Sequence, residues 1–157
     1  MTIGVVLAVT AAVVSILLAG TGSILGTLSA AKSGAGVVSE KPKAFGGALL
    51  TSALPSSQGI YGFLAAVIVL QKIGLISGEL ASIDTNVGLA LLFGAMPVAF
   101  LGLISGIAQG KVVQAGTRIL ANNPADVGKA VILAVLVESM AVFGLLLSIL
   151  VINSIQV

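Results

Sequence analysis

Four long apolar runs dominate this chain and leave almost no room for charge. They extend from about Ile3 to Ala31, Phe45 to Leu70, Val87 to Ala108 and Ala130 to Ile152. The first three contain no Asp, Glu, Lys or Arg, and the fourth contains one, Glu138. Each can supply the roughly 20 residues that cross the hydrocarbon core of a bilayer. Lipid offers backbone groups no partners, so spanning segments are helices or closed barrels. These runs are far longer than barrel strands and do not alternate in polarity, so they are expected to be helices. Charged residues make up 8% of the 157 residues, against roughly 25% in a soluble domain. So few charges cannot cover a solvated surface, and an integral membrane protein is expected.

The residue inventory excludes much chemistry. The chain has no His and no Cys, which removes imidazole bases, thiol nucleophiles and the usual zinc ligands. No polar stretch is long enough to fold a soluble catalytic domain. A formal charge of +2 gives no reason to expect a nucleic-acid partner. No basic segment precedes the first apolar run, so that run is expected to be a permanent span rather than a cleaved signal.

The connections read as polar segments, Lys32 to Lys43, Gln71 to Asn86 and Lys111 to Lys129. The last contains Asn122, Asn123 and Pro124 as a break and helix-start signal. The first and third hold Lys32, Lys41, Lys43, Lys111, Arg118 and Lys129, whereas the middle one sets Lys72 against Glu79 and Asp84. By the positive-inside rule the first and third connections are expected in the cytoplasm, with the middle loop and both termini on the opposite side.

The chain also repeats itself. PKAFGGA at Pro42–Ala48 resembles PADVGKA at Pro124–Ala130, and the same offset carries Ser57 to Ser139 and Gly62 to Gly144. Upstream, a two-residue slip aligns Gly22 and Gly26 with Gly102 and Gly106. The expected architecture is all-α, a duplicated parallel helical hairpin. The first hairpin spans residues 1–76 and the second 77–157, in one membrane domain. With both basic connections on one side, this is not an inverted repeat.

In this alignment Glu138 falls opposite Ser56, so one half carries a carboxylate that the other lacks. A charged side chain at the centre of a membrane helix costs about 2.5–3.5 kcal/mol on insertion scales, and intramembrane carboxylates are functional by default. Such a group suits the holding and release of a proton or a cation. The alternative is a carboxyl that only bonds helices together. On the second run, Leu54, Ser57, Gln58 and Tyr61 are spaced to share one helix face. Pro55 breaks the backbone ladder beside them and can free a carbonyl. A carbonyl, a hydroxyl, an amide and a phenol on one side form an oxygen set of the kind hard cations take. They would equally make a polar seam between helices. Gln109, taken alone, reads as an interfacial residue near the basic connection. Gly22, Gly26, Gly102, Gly106 and Gly110 recur every four residues on the first and third runs, a pattern that lets helix backbones pack closely.

Taken together, the run LPSSQGIYG at Leu54–Gly62, the run SGIAQGK at Ser105–Lys111, the pair Val137-Glu138 and the duplicated hairpin resemble the membrane rotor subunit (the proteolipid of the c-ring) of V-type and A/V-type rotary ATPases. The resemblance covers essentially the whole chain. It implies a homo-oligomeric ring in a prokaryotic cell membrane, with one ion carried on each Glu138. It implies a stator subunit bearing an Arg, a central stalk at the cytoplasmic loops, and ATP hydrolysis in a separate head. The chain itself would have no catalytic centre and need no cofactor. Carried over residue by residue, the Na+ site of such relatives falls on the Leu54 carbonyl, Ser57, Gln58, Gln109 and Glu138, with Tyr61 bonded to the carboxylate. Ser57 stands where Thr is familiar. A proton-coupled ring needs only the shielded carboxyl; the full oxygen set favours Na+. Two other readings stay open, a free-standing channel or transporter and a purely structural membrane component.

Overall fold

The structure is a computed structural model and describes residues 2–157. Among the described residues, four helices are long and apolar enough to cross a membrane: α1 (Ile3–Glu40), α2 (Pro42–Lys72), α3 (Thr85–Asn122) and α4 (Pro124–Ser154). α2 is composite. It opens with a 3-10 turn at Pro42–Ala44, continues as α-helix over Phe45–Ala53, tightens to 3-10 at Leu54–Ser56 and resumes over Ser57–Lys72. Proline sits at the start of both tight turns, as its missing N–H and fixed φ favour. α4 also opens on a 3-10 turn, Pro124–Asp126, and then runs unbroken from Val127 to Ser154.

The helices outrun the apolar stretches. The expected connections at Lys32–Lys43 and Lys111–Lys129 are mostly helix, because nothing in either breaks a helix before Pro42 and Pro124. Only Lys41 and Asn123 separate the paired helices. At 1.5 Å per residue, 38-residue α1 and α3 are about 57 Å long, nearly twice the hydrocarbon thickness. Their surplus lies at the basic end. The connection between α2 and α3 is a genuine loop, turned at Gly74, whose φ of 76° suits glycine and where a Cβ would strike the Glu79 carbonyl.

The two hairpins are copies with one constant offset. Ile3 pairs with Thr85, Glu40 with Asn122, Pro42 with Pro124 and Lys72 with Ser154, each 82 residues apart. The two-residue slip expected upstream is therefore absent. Gly22 corresponds to Ile104, not Gly102. The glycine patterns coincide for a different reason, because these glycines meet one another. A Cβ on Gly106 would lie 2.6 Å from the Gly22 carbonyl carbon, and one on Gly22 would lie 2.6 Å from Leu103 Cα. A Cβ on Gly26 would run into the Gly106 carbonyl, and one on Gly110 into the Gly26 backbone. On the Gly102 side the neighbour is Ala19, whose Cβ would be 2.6 Å away.

α1 and α3 thus pack backbone to backbone along their length. The buried side of α1 is almost all Gly, Ala and Ser, which permits this approach. Hydrogen bonds close the pair near both ends. Thr2 Oγ1 donates to the Ile83 carbonyl (2.9 Å), and Ser33 and Thr117 hydroxyls meet at 2.6 Å. Lys41 also reaches the Ala121 carbonyl at the end of α3. α2 packs against α1, and α4 against α3. Gly62 admits the Ser15 backbone and Gly144 admits the Pro97 carbonyl, the same contact in each hairpin. Large apolar side chains such as Phe63, Phe93, Phe100, Phe143 and Leu150 stay exposed. A soluble surface would not tolerate so many together.

Candidate functional site

The site forms where α2 meets α3 and α4, at the level of the tight turn in α2. Pro55 removes one backbone donor, and the ladder tightens locally to 3-10. The Leu54 carbonyl accepts the Ser57 backbone N–H in that turn and also the Ser57 hydroxyl at 3.0 Å. The tightening does not scatter the four polar positions of α2, all of which enter one network.

That network is continuous. The single Ser57 hydroxyl proton is shared between the Leu54 carbonyl and, at the longer distance of 3.4 Å, Gln58 Oε1; Gln58 Nε2 donates to Gln109 Oε1 (2.8 Å), and Gln109 Nε2 donates to Glu138 Oε2 (3.3 Å). Tyr61 closes the far side, its hydroxyl donating to Glu138 Oε1 at 2.8 Å. Leu54, Ser57, Gln58, Tyr61, Gln109 and Glu138 are therefore joined by hydrogen bonds through three helices. Gln58 and Gln109 are 0% exposed, so Gln109 belongs to the packed interior and not to the membrane interface expected from its place in the sequence. The five glycines Gly22, Gly26, Gly102, Gly106 and Gly110 lie apart from these side chains, in the α1–α3 seam.

The chemistry of this arrangement is narrow. Tyr61 and Gln109 donate to the two carboxyl oxygens of Glu138, one each, and so hold its orientation. The other oxygens come from neutral groups: a carbonyl, a hydroxyl and two amides. Among the described residues no cluster of three His, Cys, Asp or Glu exists. One negative charge among neutral oxygens matches one monovalent cation, and a divalent metal would be left undercompensated in a membrane. Glu138 is half-buried and borders a shallow groove with Val135, Ser139, Val142 and Phe143. The carboxylate is thus held from one side and reachable from the other.

The duplication explains why the described residues form one such site and not two. At the 82-residue offset the first hairpin places Thr27 where the second has Gln109, and Ser56 where it has Glu138. The second hairpin in turn has Val137, Met140 and Phe143 in place of Pro55, Gln58 and Tyr61. Each hairpin keeps only part of the set, and the complete network needs both.

One contributor to the site left no trace in sequence. The Ala134 carbonyl accepts a second bond from Gln109 Nε2 (3.2 Å) and fixes that amide. Nothing about an alanine signals this. Ser148 Oγ accepts the Val98 backbone N–H at 3.1 Å, just after Pro97. Pro97 within α3 was the available signal for this disturbed ladder.

Comparison with known proteins agrees with the repeat. The family of the ATP synthase C subunits matches the chain twice, over residues 10–69 and 92–151. The chain is 37% identical over 145 residues to the V-type sodium ATPase subunit K of Enterococcus hirae, covering 92% of this chain and 89% of that protein. It is 38% identical over 133 residues to the A-type ATP synthase subunit K of Methanocaldococcus jannaschii, covering 85% of this chain and 56% of that longer relative.

Proposed function

The chain belongs to the family of the ATP synthase C subunits, and from that premise we propose that it is the membrane rotor component of a V-type ion-translocating ATPase, carrying Na+ on Glu138. It is an integral membrane protein and a non-catalytic subunit; ATP is hydrolysed elsewhere in the complex. Copies assemble as a ring in a prokaryotic cell membrane, with both termini outside and the α1–α2 and α3–α4 turns in the cytoplasm beside a central stalk. The excess of Lys and Arg at those turns supports that orientation.

The observation that carries this reading is the set of oxygens gathered on Glu138. Leu54, Ser57, Gln58 and Gln109 are the groups that would ligate Na+, and Tyr61 orients the carboxylate. A proton would need only the carboxyl. An ionised carboxylate can accept at both oxygens, and a charge in this setting calls for a cation. The Enterococcus hirae relative is a sodium ATPase subunit by name, which supports the same choice.

The mechanism follows from the exposure of the site. Glu138 with Na+ is neutral overall and tolerates lipid. Facing a stator Arg, the carboxylate exchanges its Na+ for the guanidinium and releases the ion to an aqueous half-channel. Leaving the Arg, it reloads from a second half-channel. The side open to the groove lets the ion leave without unpacking the four helices. Proton coupling in the same rotor is the second reading, favoured by the fact that one carboxyl is sufficient for it.

Replacing Glu138 by Gln tests the core of the proposal. The variant ring is expected to assemble while ion-coupled ATP hydrolysis and transport are lost. Transport at the wild-type rate would overturn it.

A further inference from the structure

Two buried hydroxyls among the described residues have no hydrogen-bond partner, Thr27 on α1 and Ser105 on α3; Ser105 is the one in the hairpin that carries Glu138. Ser29, Ser39, Ser56, Ser139 and Ser154 turn their hydroxyls back to the carbonyl three residues earlier. Ser23 and Ser148 accept a backbone N–H from a neighbouring helix. Ser105 does neither. It is 3% exposed and its hydroxyl has no partner among the described residues, a costly arrangement unless something else engages it.

The duplication gives the reason. Ser23 is the counterpart of Ser105 at the 82-residue offset, and it accepts the Gly59 N–H at 2.7 Å, just beyond the 3-10 turn around Pro55. In the second hairpin Val137 replaces Pro55, α4 stays regular, and Ala141 keeps its N–H within its own helix. The serine hydroxyl is kept but its intramolecular partner is gone, in the hairpin that carries the carboxylate.

Its level along α3 is that of the ion site. One turn earlier on α3, Leu101 packs at Gly144 of α4. One turn later, Gln109 bonds Ala134 and Glu138 of α4. Ser105 lies between these levels, one turn of α3 before Gln109, which donates to Glu138.

We propose that the Ser105 hydroxyl is a further member of the ion site, holding a water molecule that completes the oxygen shell of Na+ next to Glu138. This rests on the Na+ reading above. Hard cations take oxygen ligands, and a buried water needs two or more polar partners. Ser105, Glu138 and the ion supply them.

The test uses purified rings and Na+ protection of Glu138 against carbodiimide at fixed pH, in wild type, Ser105→Ala and Ser105→Thr. The thermal dissociation of each ring is measured alongside, without Na+. Ser105→Ala is expected to raise the Na+ concentration for half-protection up to about tenfold, the upper end for one hydrogen bond between neutral groups. Ser105→Thr, which keeps the hydroxyl, is expected to restore it. The dissociation temperature of Ser105→Ala is expected to equal or exceed wild type, because an unpartnered buried hydroxyl has been removed. Unchanged protection in Ser105→Ala over a protected wild type overturns this proposal alone. So does weaker protection that comes with an equal loss of ring stability, or a ring that fails to form, since either assigns Ser105 to packing. A wild type that Na+ never protects overturns the Na+ reading and this proposal with it.

Discussion

The Tyr61 hydroxyl donates to Glu138 Oε1 at 2.8 Å, so a residue of the first hairpin holds the carboxylate of the second. A hydrogen bond to a charged group is worth about 1.5–3 kcal/mol. Tyr61→Phe keeps the ring packed against Val98, Ala65 and Leu145 and removes only that donor. Na+ affinity is expected to fall on the order of ten- to hundredfold, read as the Na+ needed to protect Glu138 from carbodiimide. Assembly should be intact, and equal affinity would remove Tyr61 from the site.

Gln58 and Gln109 act as one unit. Gln58 Nε2 donates to Gln109 Oε1 at 2.8 Å, and both side chains are fully buried. Removing either leaves the other with an unmet buried amide group. Gln58→Ala and Gln109→Ala should each weaken Na+ dependence more than ring assembly, and the double variant should cost less than the two single effects added. Side chains in one hydrogen-bond network couple by about 0.5–3 kcal/mol. Strict additivity of the half-protection values would show that the amides act independently.

The glycine seam gives a prediction about stability. A Cβ on Gly106 would lie 2.6 Å from the Gly22 backbone, whereas one on Gly36 meets nothing within 4 Å. Gly106→Ala should push α1 and α3 apart at a cost of about 1–3 kcal/mol and lower the thermal dissociation temperature of the ring. Gly36→Ala, in the same helix pair, should be neutral or gain up to about 1 kcal/mol from helix propensity. The same fall in both variants would mean that backbone approach is not what the seam provides.

Much of this architecture is legible in the sequence. Four uncharged or nearly uncharged runs dictate four spanning helices, and the PKAFGGA and PADVGKA segments reveal the duplication. Glu138 announces itself by the cost of a charge among Val135, Leu136 and Val137. The i, i+3, i+4, i+7 spacing from Leu54 to Tyr61 sets four polar groups on one face. Helix ends are less legible, because the polar residues from Lys32 to Glu40 contain no breaker and the helix continues through them. The glycine alignment misleads because contact and duplication leave similar patterns. Gly22 resembles Gly102 and Gly106 because it packs on them, while its true counterpart is Ile104. The bond from Gln109 to the Ala134 carbonyl and the solitary hydroxyl of Ser105 depend on where helices meet. No local pattern encodes that.

Carbodiimide labelling of the purified wild-type ring across a Na+ titration at fixed pH, located by mass spectrometry, tests the central claim most directly. The reagent attacks protonated carboxyls in apolar surroundings. Labelling confined to Glu138 and suppressed by Na+ is the expected result, since the ion holds the carboxylate charged and occupied. Labelling of Glu138 that ignores Na+ and falls only as pH rises would contradict the Na+ assignment and make the cargo a proton; no labelling at Glu138 would contradict its role as the carrier.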